Sequence, residues 1–466
     1  MILNQYYLGC LAQASYLIAD EMTGDAVVVD PRRDIGQYLD DAGKLGLHIR
    51  YAILTHFHAD FVAGHIELKE AVGARIGLGR LAQADYEFVP LADGQTIDLG
   101  SVRLRVLETP GHTPESISIL VYDLGRSRSV PHAVLTGDTL FIGDVGRPDL
   151  MAAAGVSATD LAGALYDSLH RKLLTLPDET LVYPAHGAGS MCGKNLGKET
   201  VSTMGAQRRF NYALQPLRRD EFVRLVTADQ PDAPQYFAHD AELNRRKRPT
   251  LGAVLDRTLR PLALGDLLRL KDTGGQLLDV REAVEFEGAH MTGAVNVGLH
   301  GTFASWCGTV LDHERPIAII AAPERQQEAA LRLGRIGLDQ VAGYLDGGMQ
   351  ALESRPDLVR HTERVTAVEL SDELASGTRP FILDVRTAGE YEEKRIERGV
   401  NIPLNHLAEH VDRLPSNQRI VVHCAAGYRS AIAVSMLECR GFERLADLIG
   451  GMAAWESAKL PTAVRS

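Results

Sequence analysis

The second half of this chain repeats itself, and no other feature constrains the fold as tightly. Leu278-Asp279-Val280-Arg281 recurs as Leu383-Asp384-Val385-Arg386, a shift of 105 residues. Glu285-Phe286 maps onto Glu390-Tyr391 and Asn296 onto Asn401 at the same shift. Gly347-Gly348-Met349 maps onto Gly450-Gly451-Met452 at 103, so the second copy is two residues shorter between these landmarks. Each copy alternates strand-like and helix-like patterns over about 100 residues, which predicts paired α/β domains with parallel sheets. A chain of 466 residues is too long for a single core. The charged stretch Glu242-Leu243-Asn244-Arg245-Arg246-Lys247-Arg248-Pro249 reads as a solvated linker between the halves. The expected domains are therefore 1–245, 246–357 and 358–466.

Only the second copy carries an evident nucleophile. Arg419 to His423 is a strand pattern that runs into Cys424-Ala425-Ala426-Gly427-Tyr428-Arg429-Ser430, and Ala431 to Leu437 is helix-like. A cysteine at a strand end, in a turn opening a helix, meets backbone N–H donors and the positive end of the helix dipole. Both stabilise a thiolate. Arg429 adds a cation able to hold a sulfur oxyanion, while Ala425, Ala426 and Gly427 are small enough for the loop to curl around Sγ. In the first copy the equivalent position falls in Ile319-Ile320-Ala321, where no cysteine stands. That copy is expected to be catalytically silent, with Cys307 an ordinary apolar residue.

Metal-ligating residue types gather in the first 200 residues. His56, His58 and Asp60 lie in Thr55-His56-Phe57-His58-Ala59-Asp60-Phe61. His112 lies in Thr109-Pro110-Gly111-His112-Thr113, Asp138 in Leu135-Thr136-Gly137-Asp138-Thr139, and His186 in Tyr183-Pro184-Ala185-His186-Gly187. His112, Asp138 and His186 each follow a short apolar run (Val102 to Leu107, Ala133 to Leu135, Leu181 to Tyr183) that reads as a buried strand. A ligand just past a strand end stands on a rigid support. Any one of the 16 histidines could be structural, but the ordered set is hard to produce by chance.

These motifs, with Val28-Val29-Asp30-Pro31, Leu135 to Phe141 and Gly146-Arg147-Pro148-Asp149, resemble the glyoxalase II branch of the metallo-β-lactamase superfamily, and within it the persulfide dioxygenases. The resemblance implies an αββα sandwich. It also implies one iron(II) per chain, held by His56, His112 and Asp138, with His58, Asp60 and His186 orienting those ligands. The family's H-x-H-x-D-H pattern ends here in Phe61, which cannot ligate a metal, so a single-metal site is expected. Phe61, Arg147 and Cys192 are expected near the substrate pocket, although Arg147 pairs equally well with Asp149, and Cys192 suits a buried apolar position.

The Cys424 loop resembles that of rhodanese sulfurtransferases, as do the D-V-R, N-I-P and G-G-M-x-x-W landmarks closed by Trp455. Lys394-Arg395 departs from the family's frequent Gly-His. Arg429 follows Cys424 by five residues, one fewer than in related phosphatases, which favours sulfur transfer over dephosphorylation. The whole order resembles multidomain persulfide dioxygenase–sulfurtransferase fusions of sulfide detoxification. Implied partners are a small thiol persulfide (glutathione, coenzyme A or similar), dioxygen, sulfite and thiosulfate, and a homo-oligomer is expected. The competing readings are a zinc-dependent, glyoxalase II-like thioester hydrolase fused to a sulfurtransferase, and a sulfur-relay protein.

Composition narrows the remainder. A net charge of −12 and a pI near 5.8 argue against a nucleic-acid partner. No apolar run reaches the roughly 18 residues of a membrane span, and Met1-Ile2-Leu3-Asn4-Gln5 lacks a signal-peptide start. Cys10, Cys192, Cys307, Cys424 and Cys439 are few, odd in number and scattered, as expected of reduced thiols in the cytoplasm.

Overall fold

The strand Gln13–Ala19 is buried along its whole length, and its side chains alternate between two cores. Ala14, Tyr16 and Ile18 face inward, where they meet Leu104, Val106, Ile117, Ile119, Val121 and Leu135. Leu17 and Ala19 face outward, against Tyr38 and Ala42 of the helix Gly36–Leu45. The period of two in a strand thus builds two layers at once. A second strand does the same: Ile119 and Val121 point to the central core, while Leu120 and Tyr122 pack against Leu165 and Leu169 of the helix Ala158–Arg171.

The computed structural model describes residues 1–152, 155–377 and 379–464. The chain divides into two units, one of Met1–Ala253 with Gly334–Gly337 and one of Val254–Leu333 with Leu338–Ser466. The first holds two six-stranded sheets. One runs in the order Ile2–Leu8, Gln13–Ala19, Asp25–Val29, His48–Ile53, Arg75–Gly79, Val89–Leu91. The other runs Ser202–Thr203, Leu181–Pro184, Ala133–Gly137, Ile117–Asp123, Val102–Glu108, Thr96–Asp98. With helices on both outer faces this is the expected αββα sandwich.

The second unit contains two five-stranded sheets whose pairings are all parallel. Their orders are Pro261–Leu262, Val341–Leu345, Ile317–Ile320, Gln276–Asp279, Ala294–Asn296, and Glu363–Val365, Leu445–Leu448, Ile420–His423, Phe381–Asp384, Val400–Asn401. The internal repeat therefore returns as one topology built twice. Asp279 pairs with Ile320 as Asp384 pairs with His423, which sets Ala321 opposite Cys424 in the comparison. The helix Tyr428–Glu438 packs on the first copy, where Ser435 Oγ accepts from Asn296 N at 2.9 Å and His290 Nε2 lies 2.9 Å from Glu438 Oε2.

One expectation holds only in part. In the stretch from Glu242 to Pro249, Glu242, Arg246, Lys247 and Pro249 are exposed, but other members are packed into the first unit. Asn244 is fully buried, and the Arg248 side chain, 3% exposed, pairs with Glu67 at 2.6 Å. Charge alone misled here, because a buried arginine beside a buried carboxylate looks in sequence like a solvated one. Among the described residues no helix is long and apolar enough to cross a membrane.

Candidate functional site

Three loops at strand ends bring His56, His112 and Asp138 together. Their ligand atoms all lie within 4.8 Å of one another, and all three residues are buried. Each imidazole has its tautomer set from behind. Thr55 Oγ1 donates to Asp30 Oδ2 at 2.9 Å, so it must accept from His56 Nδ1–H at 3.0 Å. The Arg147 carbonyl accepts from His112 Nδ1–H at 2.9 Å. Both Nε2 lone pairs are left bare, 3.7 and 3.5 Å from Asp138 Oδ2.

His56 Nε2 and Asp138 Oδ2 are buried with no hydrogen-bond partner. Unpartnered buried polar atoms are expensive, and several that converge on one point fit a cation. Burial, reinforced by His58, holds the His56 imidazole well below its ordinary range, and burial lowers His112 as well. Burial opposes ionisation of Asp138, but His186 and His56 outweigh it and keep its carboxyl far below the usual range. Two neutral imidazoles and one carboxylate are what a divalent metal requires of its ligands.

The neighbouring groups are engaged differently. His186 Nδ1–H donates to Asp138 Oδ1 at 2.8 Å, and its Nε2 lies 2.8 Å from Asp60 Oδ2. Burial lowers the His186 pKa, but the Asp138 and Asp60 carboxylates outweigh it and raise it well above its ordinary value. His58 Nε2 lies 2.9 Å from Asp30 Oδ1. The Phe61 ring rests on His58 at 4.4 Å between centroids and is buried. Cys192 is 1% exposed, and its sulfur lies within 4.8 Å of a ligand atom of Asp138 and of His186. Burial and the Asp60 and Asp138 carboxylates push its thiol well upward. The Arg147 guanidinium is taken up by Asp149 at 2.7 and 2.8 Å and by the Met191 carbonyl, while Arg147 N donates to Cys192 O.

Sequence reasoning missed two residues of this site. Asp30 accepts from Thr55 N and Oγ1, sits beside His58, and has a positive φ of 50°. Its signal was available: a carboxylate ends the apolar run Ala26 to Val29, as the ligands end theirs. Asn244 donates to the carbonyls of His58 and Phe61 and accepts from Ala63 N, each at 2.8 Å. It lies more than 180 residues from the loop it clamps, and nothing local announces it.

In the second unit, Cys424 follows the strand Ile420–His423 and is 2% exposed. Gly427 N–H donates to its Sγ at 3.1 Å, and the helix Tyr428–Glu438 begins directly after Gly427. Ser430 Oγ donates to the Gly427 carbonyl at 3.0 Å. Met452 N and Ala453 N donate to the carbonyls of Cys424 and Ala425, so the loop is held from beneath. Gly451 permits this approach, since a Cβ there would stand 2.3 Å from the Cys424 carbonyl oxygen and its φ is +55°. Arg429 makes two 2.7 Å hydrogen bonds to Glu390, whose carboxyl is thereby held down to about 2 against the opposing effect of burial. Glu390 was read in sequence only as a landmark of the repeat. Cys307 is fully buried, and burial pushes its thiol well up.

Comparisons with known proteins match both halves of the chain. The metallo-beta-lactamase superfamily model matches residues 8–186, and the rhodanese-like domain model matches 263–355 and 366–458. The mitochondrial persulfide dioxygenases ETHE1 of Bos taurus and Homo sapiens are each 31% identical over 250 residues, covering 53% of this chain and 88% of theirs. A metallo-beta-lactamase crystal structure from Staphylococcus aureus aligns with a TM-score of 0.65 at 32% identity, covering 74% of this chain and 98% of that one. The chain belongs to the persulfide dioxygenase family of the metallo-beta-lactamase superfamily, with two rhodanese-like domains following in the sequence.

Proposed function

We propose that the chain oxidises a low-molecular-weight persulfide to sulfite with dioxygen, and that Cys424 carries sulfane sulfur between thiols, sulfite and thiosulfate. The observation that carries the first step is the convergence of the Nε2 atoms of His56 and His112 on Asp138 Oδ2, beside the His186 imidazole and the Phe61 phenyl ring. In this reading His56, His112 and Asp138 hold one iron(II). When bound, such a metal supplies open coordination positions at which dioxygen and a sulfur ligand meet. Phe61 stands where the family pattern has a ligand, and the nearby His58 and His186 rings lie 2.9 and 2.8 Å from the Asp30 and Asp60 carboxylates, which supports the single-metal reading.

The overall oxidation balances as R–S–S–H plus dioxygen and water giving R–S–H, sulfite and two protons, with four electrons passing from the outer sulfur to oxygen. The chain's own groups hold the ligands in their tautomers, exclude bulk water through Phe61 and Phe141, and keep the Cys192 thiol protonated beside the pocket. Cys192 and Arg147 border the substrate, the arginine through the backbone it braces. At Cys424 the persulfide sulfur passes to sulfite, the cysteine thiolate leaves, and thiosulfate forms with no change in electron count. One chain holding both sites raises the local concentration of the shared intermediate. Glutathione, coenzyme A or a similar thiol carries the persulfide, and the role is sulfide detoxification in the cytoplasm, a reducing compartment that suits five unpaired cysteines.

The test loads the full chain with iron(II) without oxygen, adds glutathione persulfide, admits oxygen, and follows uptake, sulfite and thiosulfate. Sulfite from Cys424→Ser, with thiosulfate only from the intact chain, is the expected result. Absence of uptake, with thioester hydrolysis once zinc is supplied, would reject it in favour of a hydrolase.

A further inference from the structure

The cleft above Cys424 is not made by its own domain alone. It has a volume of about 340 Å³, and Thr302 and Trp306 of the cysteine-less copy line it with Cys424, Ala425, Ala426, Tyr428 and Arg429. The two copies are tied together at this point. Tyr428 donates its hydroxyl hydrogen to the Gly298 carbonyl at 2.8 Å, and its ring covers Gly301; these glycines lie five and two residues before the helix that carries Trp306. Trp306 is half-buried, while the next residue, Cys307, points into the core and fixes the helix face. The other tryptophan, Trp455, is buried and donates to the Pro461 carbonyl, so Trp306 alone offers an indole to this cleft.

The charge in the cleft is also unusual for a site meant for an inorganic dianion. Arg429 is the only ionisable cation among the lining residues, and both its terminal nitrogens are bound to Glu390. In this end-on pair the Glu390 carboxylate offsets the guanidinium charge and occupies one of its two forks, which weakens its hold on a free anion. What remains is an indole, a phenol ring, two alanine methyl groups and a threonine hydroxyl around a buried sulfur. Such a surface gains from covering carbon and gains little from a free anion.

We infer that Thr302 and Trp306 of the silent copy form the specificity wall of the Cys424 site, selecting a low-molecular-weight organic persulfide over inorganic thiosulfate as sulfur donor. The inference rests on Cys424 being the sulfur acceptor. In the step, Cys424 Sγ attacks the outer sulfur of R–S–S–H and the S–S bond breaks. The electron pair and the proton leave with R–S–H, and Cys424 keeps the outer sulfur as its persulfide anion. The carbon of R lies against Trp306 while this happens. The cysteine-less copy thus has a use that requires no nucleophile of its own.

The experiment measures loading of Cys424 in the full chain by intact mass, as the gain of one sulfur, with glutathione persulfide or thiosulfate as donor. Trp306→Ala is expected to lower kcat/KM for loading from glutathione persulfide roughly tenfold, mainly through KM, and to leave loading from thiosulfate unchanged. Trp306→Phe should restore most of the loss, and Glu390→Gln should raise loading from thiosulfate by freeing Arg429. Equal losses with both donors would assign Trp306 a purely structural role and overturn the inference. Unchanged loading in Trp306→Ala, or a wild-type chain that prefers thiosulfate, would overturn it as well. No sulfur gained from either donor by the wild-type chain would instead remove Cys424 as the acceptor, and the wall with it.

Discussion

His186 donates Nδ1–H to one oxygen of Asp138 across 2.8 Å and leaves the other oxygen buried and unpartnered. The His186 ring thus aims the carboxylate. Removing it frees Asp138 to rotate and leaves Asp60 unpaired. His186→Ala is expected to weaken iron(II) binding about 10- to 100-fold, measured anaerobically by competition with a chromogenic chelator. Affinity within threefold of wild type would rule out this orienting role.

Asn244 makes three hydrogen bonds to the ligand-bearing loop from a fully buried position. Asn244→Ala strands two carbonyls and one N–H out of reach of water. A loss of about 3 kcal/mol is expected, read as a lower urea midpoint for the transition of the first unit. A change below about 0.5 kcal/mol would show that the loop holds itself.

Gly451 lies beneath the Cys424 loop at φ +55°, and a methyl group there collides with backbone. Gly451→Ala is expected to lower sulfur transfer about 100-fold by displacing the nucleophile, with oxygen uptake at the metal unchanged. Loss of both activities together would indicate unfolding, and retention of both would contradict the close approach.

The Glu390 carboxyl lies near 2 in the folded chain against 4.5 unpaired, the depression coming from Arg429 and Thr387 against burial. A depressed carboxyl pKa gives stability that is present above the unfolded value and lost as pH falls towards the folded one. Between pH 4.5 and 2 the wild-type second unit should therefore lose stability more steeply than Glu390→Gln. Parallel curves for the two chains, followed by circular dichroism, would refute the pairing.

Asp447 shows the opposite sign. Burial, with Glu287 nearby, raises its carboxyl to about 7. Its folded pKa exceeds the unfolded one, so stability is highest below pH 3.8 and falls as pH rises through 7. Asp447→Asn is expected to stabilise the second unit at pH 8 by roughly 1–2 kcal/mol, read as a higher Tm, and to change little at pH 4. A shift of equal size at both pH values would exclude ionisation as the cause.

Much of this molecule is legible in one dimension because its chemistry sits at strand ends. A strand needs only a short apolar run to be recognised, and the residue after it inherits a defined direction. His112, Asp138, His186 and Cys424 each follow such a run, and the 105-residue shift marks the doubled α/β unit in the sequence alone. What the local pattern could not supply was pairing between distant side chains. Asn244 reaches a loop 183 residues away, Arg248 is buried against Glu67, Glu390 takes both terminal nitrogens of Arg429, and Trp306 borders a cysteine of the other copy. Residue types and their spacing along the chain determined which groups could bind a metal or carry sulfur. Tertiary structure alone decided their charge, their tautomers and their neighbours, because those depend on burial and on partners that the chain brings together only when it folds.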